Sequence, residues 1–459
     1  MEKLTYEDLK LGEKAKEAFI KGKPVAEIMQ EFPVYLNTRP FYANLNVTDA
    51  VVAAVLAPLN VLLVGDTGTG KTQLAQDIYT YFFGGNKNEG GQGVKVRAHP
   101  EIDIYNEIFT TLNIDRAQRE LTQNIEALLF YVDELNRAPT VSQNQFFGLG
   151  DGLMDEKGAS IKLGRDNYVL CIATANIGNG EFQGTFETDK ALCNRLHIAV
   201  DFDYEAVKPL DEDRMLLDIL FEANPGVKQA PVRDISDKII QASREIAEMS
   251  RTLSAEENAV VNFLRFGLAY CQKYGRKEKT WPMNCQDCEH NADQKALCSM
   301  VRPPCGERTL NAVKRYAAAL AYVARLKNPN QDLDSVDLMF RAFEMAGAYQ
   351  HILNPMVLKM QYQDQNPKMM AEVASALRAA FKQKEDYIVS ALHQAERGRK
   401  VTQFFEQDGQ IGDYSTLSPA AKDMLKKKGI PPVEPFADAG YLGFSWVNDF
   451  ADMRIKYRK

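Results

Sequence analysis

A glycine-rich loop between a strand-like run and a helix-like run constrains the fold more than any other feature of this chain. Residues 60–82 read NVLLVGDTGTGKTQLAQDIYTYF, and Gly65, Gly70, Lys71 and Thr72 match the pattern GxxxxGK[ST]. Glycines in such a loop let backbone N–H groups wrap a phosphate chain, and the helix N-terminus adds positive potential. The pattern therefore predicts a strand, a phosphate-binding loop and a helix in direct succession.

Each residue of this loop is expected to lie against a nucleotide. Lys71 should reach the β- and γ-phosphates, and the Thr72 hydroxyl should hold Mg²⁺. The residues expected to bind ATP are Gly65, Asp66, Thr67, Gly68, Thr69, Gly70, Lys71 and Thr72. The alternative, a glycine turn with a surface lysine, is disfavoured by the flanking strand and helix patterns.

Short apolar runs alternate with helical patterns from about residue 48 to 205. The expected strands are NVLLVG, VKVRA, ALLFYVD, YVLCIATAN and HIAVDFD. This alternation indicates a parallel sheet that is covered on both faces by helices. After about residue 206 the strand signal stops, and capped helical patterns such as SAEENAVVNFLRF take over.

Two adjacent carboxylates end the third of these apolar runs. In LLFYVDELNRAP, Asp133 and Glu134 follow the strand-like residues and precede NRAP. A phosphate loop needs a second strand that ends in an acid, to hold Mg²⁺ and its water. A glutamate at the next position can polarise the attacking water. We therefore expect Asp133 to hold Mg²⁺ and Glu134 to be the catalytic base, the alternative being an ordinary acidic strand end.

The motifs GDTGTGKT, DELNRAP and ATAN, in this order and spacing, resemble the MoxR group of AAA+ ATPases. The AAA+ resemblance covers about residues 48–350, and the MoxR-like part covers about 60–205. It implies an α/β P-loop AAA+ core with a parallel sheet, followed by an all-α lid and a helical C-terminal extension. The expected segments are an N-terminal helical segment (1–47), the nucleotide-binding core (48–205), the lid with a four-cysteine insert at 281–306 (206–355), and an extension of unknown role (356–459).

The resemblance also assigns four polar residues by position. Asn176 looks like the sensor that touches the γ-phosphate or the attacking water, and Arg308 looks like the second sensor at the start of a lid helix. Arg195 stands where the family has the arginine finger that reaches a neighbouring subunit, although its neighbours Asn194 and Leu196 depart from the usual Asp and Phe. The alternatives are a plain strand end for Asn176 and a surface salt bridge for Arg195. Arg137 of NRAP is expected to orient the acidic motif or touch the adjacent protomer, or else to cap the strand end.

Two further stretches resemble inserted hairpins of this group. They are NEIFTTLNIDRAQRELTQNIE and DGLMDEKGASIKLGRDNYV, and the alternative is a pair of solvated loops. In a ring, such inserts face the pore or the partner. The resemblance thus implies a ring-forming ATPase, expected to be a hexamer, that remodels a protein client. Members of the family often act with a von Willebrand A-type partner, so the resemblance implies such a partner here.

Two other functions stay open at this point. One is a nucleic-acid translocase or restriction-type motor, with which Lys157, Lys162 and Arg165 near the second insert are compatible. The other is a nucleotide-gated scaffold without turnover, which the intact acid pair speaks against. A net charge of −7 argues against a surface that binds nucleic acid or anionic lipid as a whole. The N-terminus has no apolar h-region, and Pro58 and Asn60 interrupt the longest apolar run, so we expect a cytoplasmic protein without a membrane span.

Four of the seven cysteines lie close together in the sequence. Cys285, Cys288, Cys298 and Cys305 are spaced C-x₂-C-x₉-C-x₆-C, and the first pair has a spacing common among metal ligands. Four thiolates in a reducing compartment favour zinc, with an iron–sulfur cluster such as 4Fe-4S as the next reading and free thiols as the third. His290 could replace one cysteine. The remaining cysteines, Cys171, Cys193 and Cys271, are expected to be small core residues.

Overall fold

The structure is a computed structural model that describes residues 3–11, 41–113, 118–156, 159–176, 190–204, 232–269, 296–301, 305–436 and 446–447. The chain divides into two compact units. The first unit contains Met1–Arg251 and Arg315–Leu333, and the second contains Thr252–Lys314 and Asp334–Lys459.

The secondary structure elements are numbered here over the described residues. The strands are β1 (Val61–Val64), β2 (Gly93–Arg97), β3 (Thr110–Asn113), β4 (Gln118–Leu121), β5 (Leu129–Asp133), β6 (Leu153–Glu156), β7 (Ala159–Lys162), β8 (Leu170–Ala175), β9 (Ile198–Asp201), β10 (Phe404–Gln407) and β11 (Gln410–Asp413). The α-helices are α1 (Tyr6–Leu9), α2 (Val47–Leu56), α3 (Lys71–Tyr81), α4 (Thr140–Gln143), α5 (Phe147–Asp151), α6 (Lys190–Cys193), α7 (Ser236–Met249), α8 (Ala255–Phe266), α9 (Leu297–Met300), α10 (Glu307–Lys327), α11 (Ser335–Gly347), α12 (Pro355–Tyr362), α13 (Asn366–Lys382), α14 (Glu385–Glu396) and α15 (Pro419–Lys427).

A five-stranded sheet with the order β2-β5-β8-β1-β9 forms the centre of the first unit. All of its neighbouring strands are parallel. The strands β1 and β8 are buried along their whole length, as is expected when helices cover both faces of a parallel sheet. Because the strands run in one direction, the residues that follow β1, β5 and β8 lie at the same edge.

The predicted fold class is confirmed by this sheet. The five strand-like runs of the sequence became β1, β2, β5, β8 and β9, and the glycine-rich loop lies between β1 and α3. The first unit has an α/β core with a phosphate loop, and helices make up most of the described chain after β9. Of the cysteines expected in the core, Cys171 and Cys193 are buried, and Cys271 lies outside the described residues.

The two predicted inserts are both hairpins. The strands β3 and β4 pair antiparallel after a π-helical turn at Tyr105–Phe109, and β6 and β7 pair antiparallel before β8. Each hairpin forms a two-stranded sheet apart from the central one.

The C-terminal part of α10 packs against α2 within the first unit. The Tyr316 hydroxyl donates to the Ala50 carbonyl oxygen at 2.9 Å, and Lys327 forms an ion pair with Asp49 at 2.8 Å. Since Tyr316 is fully buried, this hydrogen bond satisfies a hydroxyl that would otherwise be costly to desolvate.

Aromatic rings from three helices form the core of the second unit. The ring of Phe263 on α8 lies 6.4 Å from that of Phe340 on α11 and 5.6 Å from that of Phe381 on α13. The fully buried Trp446 adds a ring 6.3 Å from Phe263. The helix α8 begins with the predicted capping box, in which Ser254 and Glu257 each bond the other's backbone N–H.

The C-terminal extension is not entirely helical. The strands β10 and β11 pair antiparallel, and Asp408 and Gly409 form their two-residue turn with φ of 52° and 75°. Positive φ at both central residues is typical of the tight turn that suits the twist of a hairpin. The helix α15 follows, and its N-cap is Ser418, whose side chain accepts the backbone N–H of Ala421.

The two compact units do not follow the four segments predicted from the sequence. Helix α7, which falls in the predicted lid, belongs to the unit that contains the sheet. The four predicted segments were defined by their expected roles, and their bounds stay a prediction. In the described part of the chain, no helix combines the length and the apolar character that crossing a membrane requires.

Candidate functional site

The phosphate loop has positive φ at its three glycines, Gly65, Gly68 and Gly70, and two of these positions have a clear structural reason. Gly70, the residue before α3, has φ of 96°. Gly65 has φ of 139°, and a Cβ there would lie 3.1 Å from the Cβ of Phe202. The pattern GxxxxGK thus reflects two separate requirements, the left-handed start of α3 and the close approach of the loop to the residue that follows β9.

Asp66 and Thr69 brace the exposed part of the loop. The backbone N–H of Thr67 donates to the Asp66 carboxylate at 2.6 Å, and the Thr69 hydroxyl donates to the Asp66 carbonyl oxygen at 2.8 Å. The Lys71 ammonium also donates to this carbonyl oxygen, and it lies 3.3 Å from Thr69 Oγ1. These contacts hold the Lys71 side chain against the phosphate loop.

Lys71 is buried among acidic side chains. It is only 5% exposed, and burial lowers the pKa of its ammonium. Four carboxylates act in the opposite direction, those of Asp203, Asp66, Asp201 and Glu134. An anionic phosphate at this site meets repulsion from these acids, so a divalent cation beside it would offset their charge.

Asp133 is held by hydroxyl groups at the end of β5. The Thr174 hydroxyl donates to Asp133 Oδ1 at 2.9 Å, and the Tyr131 hydroxyl donates to the same oxygen at 3.0 Å. The Thr174 oxygen in turn accepts the backbone N–H of Glu134 at 2.9 Å. One residue of β8 thus contacts both members of the acid pair.

Glu134 has an unusual backbone and two basic partners. Its φ of 55° lies in the left-handed region, where residues other than glycine are uncommon and often functional. Arg137 Nη2 lies 2.8 Å from Glu134 Oε1, and Arg97 Nη2 lies 3.3 Å from Oε2. The NRAP arginine therefore contacts the acidic motif of its own chain.

Asn176 is joined to the turn that follows the acid pair. The side chain of Asn136 donates to the Asn176 carbonyl oxygen at 2.7 Å and accepts the Asn176 backbone N–H at 3.3 Å. Asn136 is buried, so these two bonds form in a place shielded from water. They fix the backbone of Asn176 and use none of its side-chain atoms.

Arg195 is bound within its own chain. Its Nε lies 2.7 Å from Asp151 Oδ2, its Nη1 donates to the Ala191 carbonyl oxygen at 2.9 Å, and its guanidinium stacks 4.3 Å from the ring of Phe147. Only 18% of the side chain is exposed. To act in a neighbouring subunit, Arg195 would have to break its ion pair with Asp151. Alternatively, this ion pair would have to hold the guanidinium group in the direction of that subunit.

The side chain of Asn60, just before β1, connects three neighbouring segments. Its Nδ2 donates to the carbonyl oxygens of Arg195 at 2.8 Å and Gly150 at 2.7 Å. Its Oδ1 accepts the backbone N–H of Cys171 at 2.9 Å. One buried amide thus fixes the backbone beneath the arginine that the sequence singles out.

Arg308 and the cysteine segment belong to the second unit. Arg308 is the second residue of α10 and is exposed, and its role as a second sensor stays a prediction. Cys285 and Cys288 lie outside the described residues, as does His290. Cys305 is buried, and burial raises the pKa of its thiol to about 12. Among the residues that are described, no group of three or more His, Cys, Asp or Glu side chains comes together as a metal site.

Sequence reasoning missed several residues that contact the predicted ones, among them Arg97, Tyr131, Asn136 and Thr174. Two of them carry a signal that is visible in hindsight. Tyr131 and Thr174 each stand two residues before a predicted site residue, so each lies on the same face of its strand. The pairing of Val132 with Ala173 then sets Asp133 beside Thr174. The sequence of either strand alone does not determine this register.

No protein-family model matches this chain, and no curated protein sequence matches it. Solved structures do match at low sequence identity. A structure named "putative ATPase" from Cytophaga hutchinsonii is 14% identical, with a TM-score of 0.48, and the match covers 80% of this chain and 96% of that one. A full-length MCM homologue from Methanopyrus kandleri is 12% identical, with a TM-score of 0.39 and coverage of 72% and 61%. The fold assignment rests on the sheet and its phosphate loop.

Proposed function

We propose that this chain is an ATP hydrolase of the AAA+ type, similar to the MoxR group, that acts as a ring, a hexamer, to remodel a protein partner. One observation carries the proposal. Lys71 of the phosphate loop is buried close enough to Glu134 of the acid pair to interact with its carboxylate, and Thr174 and Tyr131 hold Asp133 beside it. The phosphate-binding residue and the acid pair thus lie at one site.

The roles of the individual residues follow from their positions. Lys71 and the loop N–H groups neutralise the phosphates, and Glu134 accepts a proton from the attacking water. The Asn176 side chain can orient that water, since only its backbone is used by Asn136. The oxygen donors of Thr72 and Asp133 suit Mg²⁺, which prefers a hydroxyl or a carboxylate together with phosphate oxygens. Bound Mg²⁺ and ATP would supply the charge neutralisation and the reactive phosphate.

Exposed aliphatic side chains on the inserts support a protein client. Leu112 is 61% exposed and Leu121 is 38% exposed. Since Thr110 pairs with Leu121, and residues 110 and 112 share a face, both leucines lie on the same face of the hairpin. Exposed apolar surface of this kind is typical of contacts with protein. Leu153, at the start of the second hairpin, adds a third such side chain, 43% exposed.

The basic residues near the second hairpin give the nucleic-acid motor less support. Arg165 pairs with Asp237 at 3.0 Å and with Asp166 at 3.6 Å, and Lys162 donates to Asn167. The third, Lys157, lies outside the described residues. Positive charge that is already paired offers less to a phosphate backbone. A von Willebrand A-type partner is proposed from the resemblance alone, and a metal centre at the cysteine segment is proposed from the spacing of its cysteines alone.

The test separates binding from turnover. Lys71→Ala should weaken ATP binding by about a hundredfold, because the phosphates lose their ammonium partner. Glu134→Gln should bind ATP as the wild type does and hydrolyse it at least about a hundredfold more slowly, the usual contribution of a general base. ATP affinity is measured by equilibrium titration, and turnover by phosphate release.

The exposed Glu101 provides a matched control. Glu101→Gln makes the same chemical change at a residue outside the predicted site and should leave turnover unchanged. Full hydrolysis by Glu134→Gln would refute the assignment of the base. Tight ATP binding by a wild-type protein that never releases phosphate would instead favour the alternative function, a nucleotide-gated scaffold without turnover.

A further inference from the structure

Tyr131 carries a hydroxyl in a place where a buried strand has no general need of one. Its side chain is fully buried, its ring lies 6.4 Å from that of Tyr79, and the Lys95 ammonium lies 4.9 Å from its centroid. A phenylalanine would keep these ring contacts and would avoid burying a polar group, which costs free energy unless it is hydrogen-bonded. The bonds made by the hydroxyl are therefore the feature to explain.

The Tyr131 hydroxyl carries a single proton, and it donates that proton to Asp133 Oδ1 at 3.0 Å. A carboxylate can only accept, so the direction of this bond is fixed.

The same geometry orients the carboxylate. Tyr131 and Thr174 both donate to Asp133 Oδ1, and no hydrogen bond from the described part of the chain reaches Oδ2. A carboxylate whose one oxygen is bound twice has its other oxygen fixed in direction. Asp133 Oδ2 is the oxygen left to bind a cation, and its direction is set by the two bonds to Oδ1.

We propose that Tyr131 is a positioning residue that orients the Asp133 carboxylate for one divalent cation. This inference rests on the proposed function, since it assumes that the cation accompanies a nucleotide phosphate. It predicts that the Tyr131 hydroxyl governs the affinity for the cation, while Lys71 and the loop backbone govern the affinity for the nucleotide alone.

The experiment compares wild-type protein, Tyr131→Phe and the matched control Tyr79→Phe. Both variants remove one hydroxyl from neighbouring rings, but only Tyr131 is bonded to Asp133. Nucleotide affinity is measured with a fluorescent ATP analogue, first in EDTA and then against increasing free Mg²⁺. In Tyr131→Phe the half-saturating Mg²⁺ concentration should rise about tenfold, the effect of losing one hydrogen bond to a charged group. In EDTA its nucleotide affinity should equal that of the wild type.

A general loss of structure would weaken binding in EDTA as well, so the split between the two conditions identifies a positioning role. Tyr79→Phe should match the wild type in both conditions. An unchanged Mg²⁺ requirement in Tyr131→Phe would overturn the inference, and so would an equal rise in Tyr79→Phe. These measurements need no turnover, so a wild-type protein that binds Mg²⁺ and nucleotide without hydrolysing it would count against the proposed function only.

Discussion

Two guanidinium groups contact the Glu134 carboxylate, and they differ in solvent exposure. This difference predicts how much each contributes to orienting the carboxylate. Arg97 is 72% exposed and lies 3.3 Å from the carboxylate, whereas Arg137 is 50% exposed and lies 2.8 Å from it. Exposed ion pairs contribute only about 0–1 kcal/mol, because water screens the charges. The shorter contact from Arg137, three residues along the same turn, is the one placed to orient the base.

We therefore expect Arg137→Ala to lower kcat about tenfold with little change in ATP affinity, which is about 1.4 kcal/mol of lost positioning. Arg97→Ala should lower kcat by less than about threefold, which is within the range of an exposed ion pair. Arg137→Lys is the control for charge, because lysine keeps the charge and loses the planar fork. Steady-state phosphate release at saturating ATP measures all three. Equal losses in the two alanine variants would show that the difference in geometry has no effect on turnover.

At the same scale, the sequence alone predicts residue types but not their partners. Lys71, Thr72, Asp133 and Glu134 stand in patterns that local chemistry explains. The bond between Asn136 and the Asn176 backbone depends on how two strand ends meet, 40 residues apart in the chain. Contacts of this kind follow from the packing of the whole sheet and leave no local pattern.

At the scale of elements, strand prediction succeeded where burial dictates composition. The strands β1 and β8 are apolar throughout because both faces are covered, and such runs are plain in the sequence. The hairpin of β10 and β11 was missed because its exposed residues are polar and its strands are short. The Asp408–Gly409 pair was the available signal, since this dipeptide favours two-residue hairpin turns.

The cysteine segment gives a second prediction at this scale. If Cys285, Cys288, Cys298 and Cys305 bind one metal, protein prepared without oxygen should contain about one zinc per chain, or iron and a brown colour for a cluster. Changing Cys285 and Cys288 together to serine should lower the metal content, because two ligands are lost. Elemental analysis measures the result. Cys171→Ser is the control, since Cys171 lies in β8 and is buried.

The burial of Cys305 makes this test informative. A thiol whose pKa is raised to about 12 is protonated at neutral pH, and only a bound metal would deprotonate it there. Anaerobic protein that contains neither zinc nor iron would leave the four cysteines as thiols, and the metal centre would be abandoned.

At the scale of the whole molecule, the proposed ring makes turnover depend on assembly. A finger supplied to a neighbouring subunit requires head-to-tail contacts, and such contacts close into rings. Specific activity should therefore rise with protein concentration. Arg195→Ala should bind ATP and hydrolyse it poorly. Mixing it with Lys71→Ala should restore some activity, because mixed interfaces can pair an intact loop with an intact arginine.

Asp151 supplies the control for this prediction. If Arg195 is only the partner of Asp151, then Asp151→Ala and Arg195→Ala should reduce phosphate release alike, since each breaks the same 2.7 Å ion pair. If Arg195 acts between subunits, its loss should reduce phosphate release far more than the loss of Asp151. Undiminished turnover at high dilution, with the protein monomeric by light scattering, would contradict the ring.

The contacts of Asn60 protect its side chain from deamidation. Hydrolysis of its amide to a carboxylate would replace the Nδ2 donor by a negative oxygen facing the carbonyl oxygens of Gly150 and Arg195. The damaged site would then hold three oxygens together in a place that is only 4% exposed. The contacts that such damage would destroy are also those that hold the amide still and keep water away from it. The lifetime of this amide is therefore set by how often the segment before β1 opens, a property of the fold and not of the asparagine.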